Sequence, residues 1–307
     1  MKIKKIYIAG QEGMVGQAIY KILNKKYLII NCWRKTLDLT NQEAVQHWFK
    51  KNKPDIVINA AGRVGGILDN SLYKADYIYQ NTFIGFNLLN SSLNFGVKKF
   101  INLGSACIYP KFTKQPIKEE YLLSSYLEKT NEGYALSKIA TLKYAEYIKE
   151  IYKRDYITLQ PANLYGEGDN FNLKSSHVIP ALIRKFHEAK IKKKKYVEVW
   201  GTGLAKREFL HVDDLAKAVL FFLKKECLET SINIGGYNYL SIKKLAQLIK
   251  KIVKFEGRIL FNKNYPDGVK ERKLDSTIIN KKYSWYPTIS LESGLKSYYQ
   301  YFKNLKL

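Results

Sequence analysis

The sequence predicts an α/β fold in which a doubly wound parallel sheet carries a smaller C-terminal lobe. Three observations predict it. Short β-rich apolar runs alternate with helical patterns through the first half, a glycine-spaced turn joins the first run to the first helix, and beyond about residue 165 the rhythm loosens. Such alternation is the signature of βαβ units, which build parallel sheets. At 307 residues, 46% hydrophobic and 26% charged, the chain is long enough for one large domain or two unequal ones.

Residues 4–10, KKIYIAG, read as a strand ending at Gly10, and 13–26, GMVGQAIYKILNKK, follow with helical spacing. YLIINCW (27–33) is a second strand. NQEAVQHWFKKN (41–52) is a helix opened by an Asn and Gln-Glu cluster of capping type. PDIVINAAG (54–62) is a third strand, NTFIGFNLLNSSLNFG (81–96) a helix closed by Gly96, and KKFINLGS (98–105) a fourth strand. YALSKIATLKYAEYIKEIYK (134–153) is a long amphipathic helix and DYITLQPANLYG (155–166) a fifth strand. The remainder holds the short strand YVEVWGTG (196–203) and helices at 211–225 and 241–255. This divides the chain into a Rossmann-type domain at 1–165 and a smaller lobe at 166–307. Segments at about 205–236, including SINIGG (231–236), return to the first domain. A ligand then lies at the carboxyl ends of the strands, between the two.

The basic N-terminus precedes only a short apolar run, and the longest later one, LAKAVLFFL, is also too short to span a membrane. Cys32, Cys107 and Cys227 are odd in number and far apart, so they form neither a disulfide framework nor a metal-ligand spacing. No metal, no membrane and a cytoplasmic setting are the expectations. The formal charge of +25 comes from lysines spread along the whole chain, with no nucleic-acid-binding motif among them. A nucleotide, not a nucleic acid, is the expected polyanionic partner.

GQEGMVG places Gly10, Gly13 and Gly16 between a strand and a helix. Glycines there permit a tight turn and close backbone approach, while the helix N-terminus offers free N–H groups to a pyrophosphate. At the end of the second strand, Arg34 and Lys35 suit a ribose 2′-phosphate and favour NADPH. Glu12, inside the glycine loop, repels such a phosphate, so NADH stays open.

YALSK sets Tyr134 and Lys138 four apart, on one helix face. An ammonium beside a phenol favours the phenolate, so a lowered tyrosine pKa is expected. FINLGSACIYP ends the fourth strand with Ser105 and Cys107, which strand alternation would turn the same way.

Glycine loop, strand-end serine and Tyr-Lys pair in this order resemble the extended short-chain dehydrogenase/reductase family. The resemblance implies that Ser105 and Tyr134 grip a substrate oxygen, and that Lys138 holds the nicotinamide ribose and tunes Tyr134. Within that family, GMVGQAI, VGGILDN, YIYQN, GSACIYP, KTNEGYALSK, NLYGEGDNF, SHVIPALI, VWGTG, REFLHVDD, PDG and RKLD together resemble the GDP-L-fucose synthase family over nearly the whole chain. Those enzymes epimerise C3 and C5 of GDP-4-keto-6-deoxy-D-mannose and then reduce C4 with NADPH. The resemblance implies Cys107 as base and His177 as acid on opposite faces of the sugar. It places Met14 and Val15 in the cofactor loop, and Asn163, Lys185, Trp200, Arg207 and Lys273 at the substrate, Arg207 near the diphosphate. A homodimer is carried over in the same way.

Four positions depart from the family's usual pattern: Glu12, Ala106, Ala162 and Lys185. The last three leave room for a different sugar. A C4 reductase of a GDP-4-keto-heptose or colitose-type precursor, with partial or no epimerase activity, is the alternative enzyme, and an NAD(P)-sensing regulator or scaffold the alternative without catalysis.

Overall fold

The computed structural model describes residues 4–305. In chain order the elements are β1 (Lys5–Ala9), α1 (Met14–Leu23), β2 (Leu28–Ile30), α2 (Gln42–Asn52), β3 (Ile56–Asn59), α3 (Ile67–Leu72), α4 (Lys74–Asn94), β4 (Lys99–Leu103), α5 (Glu132–Tyr152), β5 (Asp155–Pro161) and β6 (Asn163–Tyr165). There follow α6 (Val178–Ile191), β7 (Tyr196–Trp200), β8 (Lys206–His211), α7 (Val212–Lys224), β9 (Ser231–Ile234), β10 (Asn238–Ser241), α8 (Ile242–Val253), β11 (Arg258–Asn262), β12 (Glu271–Arg272) and α9 (Leu291–Asn304).

Six strands form one parallel sheet in the order β2-β1-β3-β4-β5-β9. The chain leaves β1 toward β2, then crosses back to β3, so strand order reverses between β1 and β3. That reversal opens a crevice at the carboxyl ends of these strands. β3 and β4 are buried along their whole length, as a sheet covered on both faces requires. Helices α1 and α7 cover one face, and α2, α4 and α5 the other.

The lobe is built differently. β6, β10 and β12 all pair with β8, β7 pairs with β11, and a second core gathers Phe186, Leu245, Ile249, Leu295 and Tyr298 from α6, α8 and α9. SINIGG does return: β9 lies parallel to β5, with Thr158 opposite Ser231.

Several elements differ from expectation. The fifth strand splits after Pro161, because β6 leaves the main sheet to pair with β8. β2 keeps only three residues, since it is the half-exposed sheet edge. Helix α4 begins at Lys74, not 81; its first turns carry exposed polar residues that mask the apolar period, although Tyr77 within them is fully buried. Among the described residues no helix is long and apolar enough to cross a membrane.

Candidate active site

The glycine loop turns where β1 and β3 end side by side. Gly10 has φ +78, and a Cβ there would lie 2.7 Å from the Ala60 carbonyl carbon and oxygen, so only glycine fits. A Cβ on Gly16 would overlap the Gly10 carbonyl oxygen, which explains why α1 can start so close to the strand. Gly13 is the N-cap of α1, has no side chain to bond the first amides, and meets little around it. The N–H groups of the turn that begins at Met14 and Val15 are therefore free for a pyrophosphate. Gln11 beside them is buried, and its Oε1 has no partner among the described residues. These residues fit a dinucleotide. Glu12 Oε2 accepts from the Arg34 backbone N–H at 2.8 Å, which holds a carboxylate at the end of β2, while the Arg34 side chain is exposed.

Beyond Leu103 the chain does not continue as a strand. Ser105 is extended and caps a 3-10 turn over Ala106–Ile108, its Oγ accepting from Cys107 N at 3.2 Å. Ser105 and Cys107 are thus brought together by a hydroxyl-capped turn, and the alternation argument is corrected: a serine hydroxyl competes for a nearby N–H and tightens the backbone out of the extended form. The Ser105 N–H in turn donates to Gln160 Oε1 at 2.7 Å.

Tyr134 and Lys138 stand on the first turns of α5. Lys138 Nζ donates to the Leu103 carbonyl at 2.9 Å and lies 5.8 Å from the Tyr134 ring centre. The edge of Tyr77 packs against Tyr134 with centroids 6.1 Å apart. Here the expected lowering of the tyrosine is overturned. Burial and the charge of Cys107 push the Tyr134 phenol up, against a hydrogen bond from Ser105. Burial also brings Lys138 down to about 8.

Arg207, on β8, donates to the Asp267 carbonyl at 3.2 Å, and burial, then the neighbouring Arg272, lower it to about 10. Arg272 lies directly opposite Arg207 in the β8–β12 register. It is 6% exposed, and its Nε and NH2 have no partner among the described residues. Two like charges opposed in a sheet repel, and unsatisfied buried donors cost about 1–3 kcal/mol, more when charged. A bound dianion relieves both. Arg272 was missed by sequence reasoning, which singled out its neighbour Lys273. That side chain is exposed, with its ammonium 5.7 Å from the Tyr239 ring centre.

The remaining residues lie on other elements. His177 caps α6 and is exposed; Gly66 N donates to Ser175 O at 2.9 Å, which draws the segment before His177 toward α3 and the sheet. Asn163 donates through Nδ2 to the Glu208 carbonyl at 2.9 Å, tying β6 to β8. Lys185 and Trp200 form a separate patch, the ammonium 4.9 Å from the indole centre, with Tyr265 stacked on Trp200 at 4.2 Å. Tyr265 comes from a loop with no periodic pattern and was not foreseen. Asp267 joins this patch to the arginines, accepting from Thr202 N and Oγ1 at 2.7 and 2.6 Å. Two of the unusual residues, Ala106 and Ala162, are 5% exposed members of the main core.

Comparison with known proteins places the chain in a family. Residues 6–235 match the family described as NAD dependent epimerase/dehydratase. A GDP-L-fucose synthase of Sinorhizobium fredii is 45% identical over 304 residues, 98% of this chain and 96% of that one. A solved GDP-6-OMe-4-keto-L-xylo-heptose reductase from Campylobacter jejuni superposes with TM-score 0.92 at 35% identity, covering 99% of this chain and 98% of that one. The GDP-mannoheptose C4 reductase MlghC of Campylobacter jejuni, solved with NADP bound, gives 0.89 at 35% identity and covers 99% of both chains. The chain belongs to the NAD dependent epimerase/dehydratase family and, within it, to the GDP-L-fucose synthase family.

Proposed function

We propose that the chain is a bifunctional GDP-L-fucose synthase, which epimerises C3 and C5 of GDP-4-keto-6-deoxy-D-mannose and then reduces C4. The observation that carries this reading is the capped turn after β4, where Ser105 Oγ accepts from Cys107 N at 3.2 Å while Lys138, on the same helix as Tyr134, donates to the Leu103 carbonyl at 2.9 Å. The thiol and the hydroxyl thus share the strand end that Lys138 reaches from the helix carrying Tyr134.

Arg207 and Arg272 hold the diphosphate, and the half-exposed Tyr265 face offers the nucleobase a stacking surface. Ser105 and Tyr134 hold the C4 oxygen and stabilise the enolate formed when Cys107 takes a proton from C3 or C5. His177 returns a proton from the opposite face, which inverts the centre. NADPH, bound at Gly10, Gly13 and Gly16 with Arg34 at its ribose phosphate, supplies the hydride for C4 when present. Tyr134 then protonates the C4 oxygen.

A homodimer in the cytoplasm completes the reading. Exposed Tyr79, Phe83 and Phe86 share one face of α4, and Tyr147 and Ile151 one face of the adjoining α5. The unpaired cysteines fit a reducing compartment. Light scattering is expected to give twice the 35.6 kDa chain mass, and a monomer would overturn the pairing.

The test is incubation with GDP-4-keto-6-deoxy-D-mannose in D₂O without reductant. Deuterium is expected at C3 and C5, and GDP-L-fucose on adding NADPH. Reduction without exchange would establish a C4 reductase instead, the alternative favoured by the likeness to the heptose reductase.

Glu12 sets the cofactor balance. Exchanging its carboxylate for a guanidinium (Glu12→Arg) is expected to raise the NADPH-over-NADH binding ratio about tenfold, equivalent to about 1.4 kcal/mol. Calorimetric titration of both cofactors measures it; an unchanged ratio means that Glu12 does not face the ribose.

A further inference from the structure

β12 is only two residues long, yet it carries Arg272, the buried arginine whose Nε and NH2 have no partner among the described residues. On one side β12 pairs with β8, Glu271 opposite Lys206 and Arg272 opposite Arg207. The peptide groups on its other edge must find partners as well.

That edge is closed by the segment that follows the Ser105–Cys107 turn. Ile117 N donates to the Lys273 carbonyl at 2.7 Å and Asp275 N to the Ile117 carbonyl at 2.7 Å, a parallel bridge between Ile117 and Leu274. Next to this bridge the main-chain pairing stops and a side chain takes over. Gln115 Oε1 accepts from Lys273 N at 2.7 Å, while its Nε2 donates to the Glu271 carbonyl at 3.3 Å. Those two groups belong to the peptide units on either side of Arg272. One amide therefore spans that residue, as a peptide group of a neighbouring strand would.

The arm that bears Gln115 is itself anchored. Tyr109, two residues beyond Cys107, donates from its hydroxyl to Asn233 Oδ1 at 2.6 Å. Asn233 Nδ2 then donates to the Ile117 carbonyl at 2.9 Å and to the Asp275 carbonyl at 3.2 Å. Asn233 is fully buried on β9, so both ends of the arm are fixed to the main sheet.

We propose that Gln115 is the positioning residue of Arg272, its amide clasping the backbone on both sides of that arginine so that the guanidinium is held ready for the substrate's diphosphate. For its purpose the inference rests on the reading of Arg207 and Arg272 as the diphosphate seat; the hydrogen bonds stand without it. Positioning from the backbone is needed because Nε and NH2 of Arg272 make no bond that could aim them, and Arg207 opposite repels the same charge. The arm starts at the turn that bears Cys107, so the diphosphate seat and the thiol belong to one tethered length of chain.

The test is a double-mutant cycle on the full chain, read by calorimetric titration of GDP. Gln115→Ala is expected to weaken GDP about tenfold and Arg272→Met about 100-fold. The variant carrying both should bind GDP within twofold of Arg272→Met alone, because the clasp then has no guanidinium left to aim. Gln115→Met, which keeps the bulk of the side chain and loses the amide, should repeat the loss of Gln115→Ala. NADPH affinity should stay within twofold in every variant, which a general loss of folding would not allow. GDP affinity within twofold of native in both Gln115 variants, or losses that add in the double variant, would overturn the proposal. Unchanged affinity in Arg272→Met would overturn it together with the diphosphate assignment. Deuterium exchange by the native protein separates the two readings. A non-additive cycle in a protein without exchange supports the clasp and overturns the epimerase, whereas additive losses in a protein that exchanges overturn the clasp alone.

Discussion

Cys107→Ser stops deuterium uptake at C3 and C5 and leaves NADPH binding within twofold. The ordinary ionisation of a thiol, at about pH 8.5, lies close to neutrality. A serine hydroxyl does not ionise in that range. General-base catalysis contributes about 10²- to 10⁴-fold, and the whole of that is at stake. The exchange is nearly isosteric. The bond that places residue 107 comes from its backbone N–H to Ser105 Oγ at 3.2 Å, which the substitution keeps, so a loss of uptake reports chemistry and not a displaced turn. The measurement is NMR of the recovered sugar nucleotide after incubation in D₂O. Uptake within tenfold of native would remove Cys107 as the base.

Tyr134→Phe lowers C4 reduction by about 10²- to 10⁴-fold, because the oxygen that gains charge as hydride arrives loses its proton donor. The raised phenol pKa gives this prediction its direction. Burial keeps Tyr134 protonated near neutrality, ready to donate to an oxygen that becomes strongly basic only during the step. The ring remains packed against Tyr77, so stability should change little. Lys138 adds a pH signature. Burial lowers it to about 8, so its ammonium is present below that pH and lost above it. Reduction by the native protein should therefore decline as pH rises past about 8. Single-turnover NADPH oxidation measured across pH checks both, and near-normal turnover in Tyr134→Phe would show that another donor serves C4.

Much of this architecture is legible in the chain. Strands buried on both faces are mostly apolar, so β1, β3, β4 and β5 stand out as runs between helical patterns. Gly10 and Gly16 show themselves because no other residue tolerates their backbone and close contacts. Less legible is anything that depends on which distant segments meet. Arg272 and Lys273 are neighbours in sequence with the same charge, and only the pairing of β12 with β8 tells the buried one from the exposed one. Tyr265 lies in a loop without period, and becomes notable only when Trp200 is found stacked on it. Ala106 and Ala162 looked like altered contacts to the sugar, yet their methyls belong to the core.

By itself, then, the order of residues determined the βαβ frame and the glycine turn, since each depends on local period or glycine freedom, while the proposed reactive side chains came from resemblance to a family. Tertiary structure decided how those side chains are tuned and joined: the phenol pushed up instead of down, thiol and hydroxyl united by a capped turn, and two arginines opposed in one register. The physical reason is range. Backbone preference acts over a few residues, whereas desolvation and charge act through space, between groups whose separation along the chain says nothing of their distance.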